Sequence, residues 1–167
     1  VSREAIIAPG AAAEWDSHFV IAPPSFVRAP DGELLLLYNA YNFPHKFPRA
    51  GFVEGNQGIA RWKSDRLAAI EAEEDGYFNT PRVTLRGSKI LLNVQTARAG
   101  EVKVELRDAS FAPVPGRTFE ECDPITGDHE SIEVAWEGDA DLSALNTQGL
   151  HIAFRMRAAK LFGVRAE

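Results

Sequence analysis

The chain has 167 residues, 45% of them apolar, and a formal net charge of −6. That is one ordinary domain, or one domain with an appendage: too apolar for a disordered chain, and too acidic to grip nucleic acid by neutralising phosphates. The longest apolar run, residues 34–38, falls far short of a membrane-spanning helix, and the single cysteine, Cys122, excludes an internal disulfide.

In chain order, nearly every element reads as a strand. Candidates are residues 25–28, 33–40 and 58–63, then 82–85, 89–95, 101–108, 131–136, 149–157 and 161–165. The one helical hint is 66–74, "RLAAIEAEE". Turn chemistry separates the runs: "APDGE" at 29–33, "ARAGE" at 97–101, "PVPGR" at 113–117 and "EGDAD" at 137–141. Alternation is clean where Val102, Val104 and Leu106 oppose Lys103, Glu105 and Arg107. It recurs in Ile132, Val134 and Trp136, and in Ile152, Phe154 and Met156. Period-two patterning of this kind marks antiparallel strands with one face buried.

A seam is expected near "EEDGY", residues 73–77. The evenly spaced strands after it read as a sandwich. Before it come three strands with long Pro- and aromatic-rich connections, too few to enclose a core or protect their edges. The division expected is therefore 1–75, an incomplete unit that leans on something else, and 76–167. The chain opens on Val with no signal-peptide pattern, which reads as a processed chain or part of a longer one. Compartment stays open between cytoplasm and secretion.

The first segment, "WDSHFVIAPPSFVRAPDGELLLLYNAYN" followed by "QGIARWKSDRLAAIEA", resembles one blade of a five-bladed β-propeller. The likeness is to the glycoside-hydrolase-like propellers related to the arabinanase and fructosidase families. The remainder, through "TPRVTLRGSKILLNVQT", "VAWEG" and "IAFRMRAAKLFGVR", resembles the β-sandwich that commonly follows those propellers. The fold implied is all-β: the last blade or a partial blade, then an antiparallel β-sandwich. The function implied is the C-terminal portion of a glycoside-hydrolase-like protein that hydrolyses or binds a glycan. Its partners would be the glycan and either the rest of the propeller or a second subunit. Glycoside hydrolysis needs two carboxyl groups flanking the scissile bond, so the catalytic residues would lie mostly outside this chain.

Within the blade-like segment, Asp16, His18, Asn42, His45 and Glu54 are the candidates for hydrogen-bonding a sugar, and none matches a catalytic position. Phe43, Phe47 and Phe52, in the long loop that also carries Glu54, suit the apolar face of a pyranose; packing explains them equally well. The competing role for Asp16 is a turn cap. His45, His129 and His151 occur singly, which gives zinc no ligand spacing.

The acidic stretch "RTFEECDPITGDHES" admits two readings. Asp123 and Asp128 are candidate Ca²⁺ ligands, and no other cofactor is suggested. The EF-hand ladder is absent and both aspartates sit in strong turn formers, so the pattern favours a structural corner. Two further functions stand beside the hydrolase portion. One is a carbohydrate-binding module with an aromatic platform; the other is an assembly domain that covers a sheet edge.

Overall fold

The computed structural model describes residues 5–46 and 55–167. The chain is all-β, in two antiparallel sheets, and divides into two compact units, Val1–Ser64 and Asp65–Glu167.

The first unit is a small sheet of β1 (Phe19–Ile21), β2 (Val27–Arg28), β3 (Leu34–Tyr41) and β4 (Gly55–Trp62). β4 pairs β3 along its whole length, from Leu34↔Trp62 to Tyr41↔Gly55. The other edge of β3 is shared: β1 covers Asn39 to Tyr41, and β2 covers Leu34 and Leu35. The two short strands are one strand interrupted around Pro23 and Pro24, which carry no N–H for the ladder. The Asp-Gly turn behaves as its chemistry requires. Gly32 takes φ +89°, its N–H donates to Ala29 O, and the Glu33 N–H donates to Asp31 Oδ1.

Two glycines let aromatic rings lie flat across the strands. Tyr38 covers Gly58 and Tyr41 covers Gly55, where a Cβ would fall inside the ring. Only Leu36 and Ala40 are buried among the described residues of this unit. Leu35, Leu37 and Asn39 alternate onto the opposite face, opposite Val27, Ile59 and Ile21. On that face Ile21, Val27, Leu37 and Ile59 remain 49–54% exposed. The sheet has an apolar face, and no second layer covers it among the described residues of this unit.

The second unit is built on β5 (Ile70–Asn79), β6 (Val83–Thr84), β7 (Ile90–Arg107), β8 (Asp128–Glu133) and β9 (Gly149–Ala166). Strand order is β5-β9-β7-β8, with β6 also pairing β9. Residues 65–75, read from sequence as the tail of the first segment, belong to this unit. The helical hint is corrected here, since 70–74 are strand. Alanine and glutamate carry only a weak helical preference, and Ile70 and Ala72 instead pair Leu161 and Ala159 on β9.

β7 and β9 are single 18-residue strands where the sequence suggested two strands each. "ARAGE" is not a hairpin but a bend within β7, where the register with β9 shifts between Thr96 and Glu101. Ala99 and Ala158 both take positive φ there, +65° and +44°. Gly100 is the residue that permits the approach: a Cβ on it would lie 2.4 Å from Ala158 O and 2.7 Å from Arg157 O.

One core cluster holds the unit together. Ile90, Leu92, Val94, Val102, Val104 and Leu106 of β7 meet Leu150, Ile152, Phe154, Met156, Ala159 and Leu161 of β9. Cys122, Ile125, Val134, Trp136 and Leu142, from the connection between β7 and β9, close it. The result is a sandwich whose second layer is mostly irregular chain. Each such aliphatic or aromatic side chain contributes about 1.5–3 kcal/mol by leaving water.

The outward side of β7 departs from simple alternation at Glu105, which is buried. The Arg107 guanidinium donates to its Oε1 through Nε at 2.8 Å and Nη2 at 2.7 Å, and the Phe119 N–H donates to Oε2.

Arg66 anchors the start of this unit to the sheet. Its guanidinium pairs Asp128 at 2.6 Å, donates to Asn93 Oδ1 and His129 O, and lies 4.7 Å from the Phe162 ring centre. The side chain is 7% exposed, while Asp128 is 41% exposed, so solvent screens part of the pair. Arg66→Ala is expected to lower stability by about 2 kcal/mol, read as a lower urea midpoint with unchanged slope. Arg66→Lys should recover little, because a lysine cannot reproduce the planar three-way fork.

Candidate functional site

Three of the sugar-binding candidates of the first unit, His18, Asn42 and His45, fall near one end of the β1–β3 pair. Phe19 and Tyr41 stack at 5.8 Å, Tyr41 meets Phe43 edge-on at 5.2 Å, and the His45 ring lies 4.8 Å from Phe19. The His18 N–H donates to Tyr41 O. Continuing the β1–β3 register sets His18 opposite Asn42, so two of the isolated candidates become cross-strand neighbours. His18 is exposed and its Nδ1 lies 3.0 Å from Ser17 Oγ.

Asp16 does not join them through any described contact. It sits in the turn closed by Gly10 N–H donating to Asp16 O, and a Cβ on Gly10 would strike its carboxylate. Trp15 beside it stacks on Tyr38. Glu54, Phe47 and Phe52 lie outside the described residues. The arrangement offers aromatic surface and hydrogen-bonding groups, the two things a neutral sugar ring engages. The one carboxylate pair beside it among the described residues is that of Glu14 and Asp16 in the Gly10 turn, whose oxygens lie 2.4 and 2.1 Å from the place a Gly10 Cβ would take. A depression of about 350 Å³ near the strand break, lined by Ile21, Pro23, Leu37, Asn39 and Gln57, opens on the same sheet.

The acidic stretch of the second unit forms a corner, and Glu121, Asp123 and Asp128 each have a different partner. The Thr118 hydroxyl and N–H both donate to Glu121 Oε2, at 2.8 and 3.1 Å, and hold that carboxyl below its usual range. Asp123 Oδ2 accepts the Gly138 N–H, and Asp128 pairs Arg66. Asp123 and Asp128, the Ca²⁺ candidates, thus serve different parts of the corner. No group of three or more His, Cys, Asp or Glu is placed to hold a metal ion among the described residues.

Cys122 faces inward, where its Sγ accepts the Val104 N–H at 3.2 Å and burial pushes the thiol up. Trp136 bridges back to Cys122, and its Nε1–H donates to Val104 O. Arg117 locks the outside: it pairs Asp139 at 2.6 Å, donates to Asp141 O and stands 5.3 Å from the Trp136 ring centre. The Asp139 carboxyl is held low first by the Asp141 N–H and then by Arg117.

Two concavities of this unit are mostly apolar, while a third of about 370 Å³ is lined by charged and polar groups including Glu71, Glu73, Gln95 and Lys160. One of about 390 Å³ is lined by Ile70, Phe78, Phe154, Leu161 and Val164, and a second of about 290 Å³ shares Thr80 and Val164 with it. Phe78 and Phe154 stack at 4.8 Å in its wall.

Sequence reasoning passed over a basic row on the other face of β9. Tyr77 of β5, Arg155 of β9 and Lys103 of β7 stand side by side in register. Lys103 and Arg155 were visible only as outward positions of their own strands and Tyr77 fell in the seam at 73–77, and nothing local reveals which strands become neighbours. No family model, curated protein or solved structure matches this chain.

Proposed function

We propose that the chain is the closing portion of a glycan-active β-protein of the propeller type, its first unit acting as a blade and its second as a bracing sandwich. The observation that carries this reading is the open apolar face of the first unit. Among its described residues the sheet buries only Leu36 and Ala40 while exposing Ile21, Val27, Leu37 and Ile59 on one face, which leaves that face without a second layer there. In a propeller each blade receives that layer from its neighbours. Hydrolytic carboxylates would then stand on neighbouring sheets, and this unit supplies a sugar-contacting rim from Phe19, Tyr41, Phe43, His45, His18 and Asn42.

The second reading is an assembly module, in which another subunit covers the same apolar face. It needs no sugar. Titrating isotopically labelled chain with neutral arabino- and fructo-oligosaccharides separates the two. The glycan reading expects amide shifts confined to the Phe19–Tyr41–Phe43–His45 cluster, weakened in His45→Ala. Saturating sugar with no shift in that cluster would leave assembly as the function.

A further inference from the structure

The outward face of β7 and β9 carries a charge pattern that the net acidity of the chain does not favour. Along the register, Arg157 stands between Asp75 and Glu101, and its Nη2 pairs Glu101 at 3.2 Å. Two residues on, Arg155 stands between Tyr77 and Lys103. Further along, Arg107 lies opposite His151 and is held by Glu105. The basic groups of the outer rows therefore have carboxylates. The middle row sets two cations directly opposite each other, an arrangement that destabilises a sheet; the nearby Glu105 carboxylate is engaged by Arg107 and by the Phe119 N–H.

The middle row is also shaped. The Arg155 guanidinium lies 4.5 Å from the Phe119 ring centre, and Phe119 is 3% exposed, so the cation is seated on a fixed aromatic floor. Lys103 Nζ donates to Phe119 O at 3.2 Å, which draws the ammonium to the same spot. Tyr77 meets Phe119 edge-on and stays 53% exposed. A guanidinium, an ammonium and an open phenol ring thus converge around one buried phenylalanine. Cross-strand neighbours of this kind are about 5 Å apart at their Cβ atoms, so Tyr77 and Arg155 together span roughly one pyranose ring.

We propose that Tyr77, Arg155 and Lys103 bind the uronic acid unit of an acidic glycan. The planar carboxylate matches the Arg155 fork, Lys103 adds the second positive charge, and Tyr77 takes the apolar face of the ring. A nucleic acid would supply anions as well, but it is gripped by neutralising several phosphates, and this row offers two cations. The site is independent of the rim on the first unit and stands whether or not that rim binds neutral sugars.

The test uses the full chain, labelled for NMR, titrated in parallel with oligogalacturonate, its neutral methyl ester and an oligoglutamate peptide. The site predicts amide shifts at Tyr77, Lys103 and Arg155 with the uronate, weakening as salt rises. It predicts a loss of about tenfold or more in affinity in Arg155→Ala and a smaller loss in Tyr77→Ala. Both side chains are exposed, and a thermal melt checks that the variants fold. Equal shifts with the neutral ester, or binding unchanged in Arg155→Ala, would overturn the site. Oligoglutamate binding as tightly as the uronate would overturn its assignment to a glycan.

Discussion

Trp136→Ala is expected to destabilise the second unit by about 3–5 kcal/mol, a large share of the roughly 5–15 kcal/mol that holds an ordinary domain together. Trp136 is 1% exposed and is among the largest fully buried side chains. Truncation leaves a cavity among Val104, Cys122 and neighbours that are already clasped by Arg117, and it removes the indole N–H from Val104 O. Trp136→Phe separates the two parts: it keeps much of the volume and loses the hydrogen bond, for about 1–2 kcal/mol. Urea unfolding followed by circular dichroism measures both. A Trp136→Ala midpoint equal to that of the parent would mean that the acidic corner does not close the core.

Gly100→Ala is the second large effect, expected at about 2–3 kcal/mol although it adds one methyl group. The atoms in its way are the carbonyl oxygens of Arg157 and Ala158, which belong to backbone and cannot swing aside as a side chain would. β7 and β9 would have to part at the bend where their register shifts. Gly163→Ala is the matched control in β9, because its nearest obstacle is Asn93 Cβ at an ordinary 3.8 Å. That variant should unfold within about 0.5 kcal/mol of the parent. If the two alanine variants unfold together, the close approach at Gly100 is not what shapes the sandwich.

What could be read from the residues was whatever is local and periodic. Val102, Val104 and Leu106 and, on the opposing strand, Ile152, Phe154 and Met156 announce a buried face by alternation, and all six are buried. The Asp-Gly turn at 29–33 likewise declares itself, because only a few residues tolerate its backbone. Non-local effects were hidden. The composition of 66–74 favours a helix, yet a waiting β9 edge makes 70–74 strand, since pairing outweighs a few tenths of a kcal/mol of propensity. "ARAGE" has the chemistry of a reversal and is used for a bend.

The candidate site shows the same division. His18 and Asn42 were singled out separately and become neighbours through register, whereas Asp16 is taken up by its own turn. The carboxylates of 117–136 read from sequence as a structural corner with Ca²⁺ as the alternative, because they are close in sequence but sit in turn formers. In space Glu121, Asp123 and Asp128 bond Thr118, Gly138 and Arg66, three partners that no spacing rule identifies. Tyr77, Lys103 and Arg155 come from three strands and meet only once the sheet order is known.

The central claim is that the second unit carries its own core while the sheet of the first depends on a cover. Native-state hydrogen exchange on the chain alone tests it directly. The amides of Val102 and Leu106, bonded to Ile125 O and Arg117 O under the closing layer, should exchange only through global unfolding of that unit. The amides of β3 and β4 should exchange through openings of much lower free energy. Equal protection in both sheets would contradict the account, because it would give the first unit a core that Leu36 and Ala40 alone do not provide.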